Sequence, residues 1–112
     1  MGELAKLELP RIETRFNDGV FVKAMVCERA GTCVEGHIHR WPHTTYFATG
    51  SFRVWKDGVH LGDFTAPCGI DIAAGCKHML KALEDGSVAL CIHNVSRTGE
   101  VETVPSEQLL GV

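Results

Sequence analysis

Three histidines lie within seven residues of one another, at His37, His39 and His43. Residues two apart on a β-strand point to the same face with Cα atoms about 6.5 Å apart, so His37 and His39 can bind the same ion. Trp41 and Pro42 interrupt regular strand pairing and let the chain turn back, which allows His43 to approach from the next strand. Because imidazole is a good ligand for Zn, Fe, Cu and Ni, this spacing favours a metal site. The alternative is that each histidine is an ordinary surface or hydrogen-bonded residue.

The length and the charge of the chain limit the functions that such a site can serve. A chain of 112 residues is long enough for one domain with one hydrophobic core. Its 11 Lys+Arg residues and 14 Asp+Glu residues nearly balance, which gives a formal net charge of -3 and leaves no basic stripe. We therefore expect no nucleic-acid partner. No apolar run approaches the roughly 18–20 residues of a membrane span, so we expect no membrane partner either.

The cysteines and the first residues of the sequence indicate the compartment. The segment that follows Met1 is charged and lacks the apolar core of a secretory signal. The cysteines are odd in number and form no Cys-x-x-Cys pair; they are Cys27, Cys33, Cys68, Cys76 and Cys91. We therefore expect free, reduced thiols and a cytoplasmic protein.

Short apolar runs separated by turn residues predict the fold class. Glycine occurs 12 times and divides the chain into runs rich in Val, Ile, Phe and Thr, which is typical of an all-β sandwich or barrel. The predicted strands are Val20–Glu28, Thr32–Arg40, Thr45–Thr49, Ser51–Lys56, His60–Phe64, Gly69–Ile72, His78–Ala82 and Val88–Val95. The Asp-Gly pairs at Asp57-Gly58 and Asp85-Gly86 predict hairpin turns. Helical signals are confined to one terminal turn, at Ser106–Leu110.

The strand-rich segment is the predicted core of a single domain that spans residues 1–112. This core covers about residues 20–95, and an N-terminal arm (1–19) and a C-terminal tail (96–112) flank it. In the arm, Leu7 and Leu9 alternate within the segment Leu4–Ile12, as they would in a strand. Such a segment could pair with the edge of another subunit, so a homodimer is one assembly that the sequence allows.

The residues around the histidines resemble a known pair of motifs. The stretch from Gly31 to Gly50 is similar to the first cupin motif, G-x5-H-x-H-x3,4-E-x6-G, with His43 where that family usually has Glu. A degenerate form of the second motif, G-x5-P-x-G-x2-H-x3-N, follows, in which Gly75 and His78 have the family's spacing. Pro67, Ala73 and Ala82 stand where the second motif has Gly, Pro and Asn. The two motifs together cover about half of the chain.

The resemblance implies a double-stranded β-helix, or jelly roll, that holds one divalent transition metal through His37, His39, His43 and His78. Iron is the favoured metal, and Mn, Ni, Zn and Cu are the alternatives. The function this implies is a mononuclear non-haem metal enzyme of the dioxygenase or oxidoreductase type, acting on a small anionic or enolisable organic substrate. Two other classes stay open: a non-catalytic protein that binds a metal or small ligand, and a metal-assisted isomerase or lyase.

Three further residues have reactive or metal-ligating side chains but lie outside the two motifs or at none of their fixed positions. His60 follows the Asp57-Gly58 turn, so we expect it to be exposed to solvent. His93 lies on a late strand that could line the barrel. Cys76 is close to His78 in sequence, and we expect it to be a small buried apolar residue.

Overall fold

The computed structural model describes residues 8–35 and 38–95, except for the side chain of Glu35. Within these residues the chain forms nine strands and no helix. They are β1 (Arg11–Asn17), β2 (Val20–Cys27), β3 (Cys33–Glu35), β4 (His43–Thr49), β5 (Ser51–Lys56), β6 (Val59–Thr65), β7 (Cys68–Ile72), β8 (His78–Ala82) and β9 (Ser87–Asn94). In the part of the chain that the structure describes, no helix has the length and apolar character needed to cross a membrane.

The strands form two antiparallel sheets whose inner faces pack against each other. One sheet has five strands in the order β1-β2-β9-β4-β7, and the other has four in the order β3-β8-β5-β6. Side chains alternate between the two faces of a strand, and burial follows this alternation most clearly in β2, β8 and β9. The prediction of an all-β fold is therefore confirmed.

Large apolar side chains fill one end of the space between the sheets. Phe47 from β4 stacks on Phe52 from β5, with ring centroids 5.1 Å apart, and both are fully buried. Val54, Leu80 and Met25 complete this part of the core. Burying a side chain of this size contributes about 1.5–3 kcal/mol to stability, so this end holds the two sheets together.

The observed strands differ from the predicted ones at two places. Arg11–Asn17 forms β1, which pairs along its whole length with β2 of the same chain, although no strand was predicted there. Only Ile12 and Phe16 of its seven residues are apolar, and such a polar composition is typical of an edge strand. The predicted strand Thr32–Arg40 is much shorter, since β3 ends at Glu35 and residues 38–42 lie in a loop.

Two Asp-Gly turns join neighbouring strands, and a third does not. Asp57-Gly58, with positive φ angles of 49° and 82°, links β5 to β6 as predicted. Asp18-Gly19 has the same conformation (50° and 79°) and links β1 to β2. The hairpin predicted at Asp85-Gly86 is wrong, because β8 and β9 belong to different sheets and this segment crosses between them.

The close approach of Gly50 to Ser87 gives a test of how the two sheets meet. Gly50 has a φ of +73°, and an added Cβ would lie 2.0 Å from Ser87 Oγ and 2.7 Å from Ser87 Cα. Gly58 has a similar φ of +82° but open space around it. Both Gly→Ala changes cost about 1–2 kcal/mol for the left-handed backbone. We expect Gly50→Ala to cost a further 1–3 kcal/mol or so from overpacking, because backbone as well as side chain must move.

Urea unfolding of the wild type, Gly50→Ala and Gly58→Ala measures this difference. Gly58→Ala is the matched control, since it has the same backbone conformation without the contact. Equal losses in the free energy of unfolding for the two variants would contradict the close approach at Ser87.

Candidate metal centre

The end of the barrel opposite the apolar core has polar inward-facing side chains. Strand register aligns Lys23 of β2 with Cys91 of β9, and Cys91 with Thr45 of β4, so these three residues form one row across the sheet. All three are buried, with at most 5% of each residue exposed. Next to this row, His93 of β9 lies opposite Phe21 of β2, and its ring contacts that phenyl ring at 5.5 Å. The inner face therefore changes from apolar to polar along the same strands.

Three buried residues from three strands come together at this polar end. The potential ligand atoms of His43 (β4), His78 (β8) and Cys91 (β9) all lie within 4.8 Å of one another. The imidazole centroids of His43 and His78 are 5.1 Å apart, and both ring nitrogens of His43 and Nδ1 of His78 are closed to solvent. The Oγ1 of Thr45, on the neighbouring strand of the same sheet, lies 3.6 Å from Cys91 Sγ. We call His43, His78 and Cys91 the metal cluster.

The chemistry and spacing of the metal cluster suit a transition metal. Donors that share an ion at bond lengths of about 2.0–2.3 Å can lie at most about 4.5 Å apart. The donor atoms of the metal cluster lie within 4.8 Å of one another. They would therefore have to approach by at most a few tenths of an ångström to share one ion. Two imidazoles and one thiol are the donors that Zn, Fe, Cu and Ni accept. A buried polar cluster of this kind costs stability unless its groups are satisfied, and a bound metal satisfies all three together.

A group of stacked rings covers one side of the metal cluster. His39, in the loop before β4, contacts His43 edge to face at a centroid distance of 5.1 Å and stacks on Trp41 at 5.2 Å. Trp41 in turn contacts His93 at 5.0 Å. The indole Nε1 of Trp41 is buried and has no hydrogen-bond partner within residues 8–35 and 38–95. The loop that lacks strand structure is therefore held by ring contacts, and it places a buried N–H donor at this end of the barrel.

The structure brings some of the predicted metal ligands together and not others. His43 and His78, which are 35 positions apart in sequence, meet in the metal cluster. His39 lies against His43 from a loop, so the predicted geometry of two histidines on one strand does not hold for it. His37 lies outside the described residues.

The other two histidines have the exposure that was predicted from the sequence. His60 is exposed, with its Nε2 3.2 Å from Asp63 Oδ1. Asp63 also accepts two hydrogen bonds from the Arg53 guanidinium, which holds the pKa of that carboxyl at about 2. His93 is buried and faces the barrel interior.

Sequence reasoning missed Cys91 and Lys23 as residues of the site. The alternation of β9 puts Cys91 on the buried face with Ala89 and His93, although the opposite face is the more apolar one. Cys91 reaches the metal cluster through register with β4, whose Thr45 is 46 positions away in sequence. Lys23 is separated from its row neighbours in the same way, so no local signal marks either residue.

The remaining cysteines lie outside the metal cluster, and all five are free thiols as predicted. Burial, together with the nearby Cys33, raises the pKa of the Cys27 thiol to about 11. Burial likewise raises the pKa of Cys76, which is buried as predicted. Thiols with a raised pKa are poor nucleophiles and poor ligands, so these two cysteines act as small core residues.

An open cavity of about 510 Å³ lies at the strand ends beside His43. His43 and His93 form part of its wall, together with Asp71 at the end of β7. The Asp71 carboxylate accepts a hydrogen bond of 3.0 Å from the Thr44 hydroxyl. Of the three residues of the metal cluster, only His43 borders this cavity, and both of its ring nitrogens are closed to solvent.

Comparison with known proteins identifies the architecture. No protein-family model matches the sequence, and no curated protein is significantly similar to it. Solved structures do match. A cupin 2 domain-containing protein from Halorhodospira halophila superposes with a TM-score of 0.68 at 15% identity over 97% of this chain and 79% of that one. A Cupin 2 conserved barrel domain protein from Salinispora arenicola has a TM-score of 0.65 at 15% identity, covering 80% of each chain.

A third similar structure, an RmlC-like cupin from Shewanella frigidimarina, gives the same result. Its TM-score is 0.61 at 19% identity, over 81% of this chain and 89% of that one. At sequence identities this low, the similarity is one of backbone shape and carries no information about ligands or reactions. The two packed antiparallel sheets and these superpositions together show that the chain has the cupin fold, a double-stranded β-helix.

Proposed function

We propose that the protein is a mononuclear metal enzyme whose metal lies between the two sheets, at the metal cluster. The observation that carries this proposal is the convergence of His43, His78 and Cys91 within 4.8 Å in a buried part of the barrel. His39, whose ring contacts His43, is the proposed fourth donor, and His37 remains a proposed ligand from the resemblance. Iron is the proposed metal, with Mn, Ni, Zn and Cu as alternatives.

The residues around the metal cluster would hold the ion and restrict access to it. A bound ion supplies Lewis acidity and, if it is redox active, a site for O₂. His43 and His78 donate from opposite sheets, which fixes their separation through the barrel framework. The rings of His39 and Trp41 exclude water from one side, while the cavity beside His43 admits a ligand on another. We propose a small anionic or enolisable substrate and chemistry of the dioxygenase or oxidoreductase type.

One observation favours a second candidate function, a non-catalytic protein that binds a metal or a small ligand. Among the described residues that line the cavity, Asp71 is the only carboxylate, and it is already bonded to Thr44. No further carboxylate that could serve as a general acid or base is therefore present among the described residues that line the cavity. Substrate-dependent O₂ uptake by the iron-loaded protein supports the oxidoreductase. Turnover without O₂ uptake supports an isomerase or lyase, and ligand retention without turnover supports the binding protein.

Removal of either histidine of the metal cluster tests the site itself. We expect His43→Ala and His78→Ala each to lower the bound metal to less than about a tenth of the wild-type content, because a missing ligand weakens a buried site strongly. His60→Ala is the matched control, since that histidine is exposed and bonded to Asp63. Metal content of untagged protein, by plasma mass spectrometry, is the measurement. Wild-type metal content in both cluster variants would rule out the site.

A carboxylate at position 43 tests the charge of the centre. His43→Glu introduces the ligand that the first cupin motif usually has at this position, so we expect it to retain metal. It lowers the charge of the centre by one unit and should weaken the binding of anionic ligands. If His43 only packs against His39 and His78, the buried carboxylate should instead destabilise the fold by several kcal/mol. Metal content and thermal stability, compared with His43→Ala, separate these two results.

Thiol ligation tests the contribution of Cys91. Addition of Co(II) to the metal-free wild type should produce the intense near-ultraviolet absorption of a thiolate–cobalt bond, and should protect one thiol from alkylation. Cys91→Ser should abolish both effects. Cys76→Ser, which removes another buried thiol, should leave them intact. The same absorption in Cys91→Ser as in the wild type would show that Cys91 is not a ligand.

A further inference from the structure

We propose that Lys23 forms an anion-binding subsite inside the barrel, next to the metal cluster, and that it selects small organic carboxylates or enolates as ligands. This inference rests on the proposed function, whose substrate class it specifies. It makes Lys23 a binding and specificity residue, distinct from the ligands of the metal.

Strand register sets the position of Lys23 beside the metal cluster. Lys23 lies directly opposite Cys91 in the antiparallel pairing of β2 with β9. Paired residues in such a ladder have Cα atoms about 4.5–5.5 Å apart and side chains on the same face. Cys91 is a member of the metal cluster, so Lys23 is one strand away from the proposed metal on the inner face.

The burial of Lys23 places its charge within the barrel. The residue is 5% exposed and lies on the same inward face of β2 as Phe21 and Met25. Lysine is rarely buried, because removing an ammonium group from water is costly. Among the described side chains no Asp or Glu is buried, so the charged residue of the described interior is a cation. Lys23 also interacts with other groups of the chain, and an arriving anion would add to these contacts or exchange with them.

The charges and donors at this end of the barrel favour a small anion. Neutral imidazole ligands leave a divalent metal with its full charge, and a Cys91 thiolate would remove one unit of it. Lys23 adds a positive charge at the neighbouring position, where an anion can interact with both cations. The buried Nε1–H of Trp41 supplies a further donor at the same end.

Oxalate binding to Co(II)-loaded protein tests the subsite, with imidazole as the neutral ligand for comparison. Lys23→Met removes the charge and keeps the length of the side chain, while Lys23→Arg keeps the charge. Lys81→Met is the matched control, because Lys81 is a half-buried lysine on β8 of the other sheet. Calorimetric titration gives the affinities. Cobalt content and circular dichroism establish that each variant is loaded and folded.

We expect Lys23→Met to weaken oxalate binding at least about tenfold, since a charge pair inside a protein contributes this much or more. Imidazole affinity should change less than about twofold. Lys23→Arg should retain most of the oxalate affinity, and Lys81→Met should retain all of it. Millimolar oxalate should also raise the melting temperature of metal-free wild type and leave that of metal-free Lys23→Met unchanged.

Three results would overturn the subsite. The first is equal oxalate affinity in wild type and Lys23→Met. The second is loss of the bound cobalt from Lys23→Met, which would mean that Lys23 supports the metal cluster rather than the ligand. The third is the absence of any oxalate effect on the melting temperature of the metal-free wild type. If the wild type binds no cobalt, the proposed metal function fails, and this melting experiment alone decides the role of Lys23.

Discussion

The division of the barrel interior into an apolar end and a polar end is the constraint on which the rest of the structure depends. Both ends are built by the same strands, because β4 presents His43, Thr45 and Phe47 inward in succession. The phenyl ring of Phe47 stacks on Phe52 and joins the two sheets. Because these apolar contacts hold the two sheets together at one end, the other end can bury polar groups at a cost in stability that the apolar end offsets.

Polar groups at the second end are stable only if they satisfy one another or share a ligand. His43 and His78 come from different sheets, so any repulsion between them acts directly on the distance between those sheets. A metal bound by both would replace a costly buried cluster with a covalently defined link between the sheets. In that arrangement, the free energy of metal binding would add to the free energy of unfolding of the barrel.

Much of the fold follows from local signals, whereas the site follows from pairing between distant strands. Asp57-Gly58 and the alternation of β9 are visible in a few consecutive residues, because turn conformation and strand period are local. The edge strand β1 was missed since only two of its seven residues, Ile12 and Phe16, are apolar. His43 and His78 were predicted from the resemblance of their motifs. Cys91 and Lys23 were not, because only the register of β9 with its neighbours brings them to the site.

The donor set distinguishes this barrel from the motif that it resembles. A carboxylate at position 43 would provide a hard oxygen ligand, whereas His43 and Cys91 provide a borderline nitrogen and a soft sulfur. Soft donors shift the preference of a site from Mn towards Zn, Cu and Fe. The same exchange would leave the proposed metal centre with one more unit of positive charge than a carboxylate at position 43 would. If the proposed site binds a metal, metal choice and anion affinity would therefore be coupled through position 43, because a single side chain there would set both the hardness of the site and its net charge.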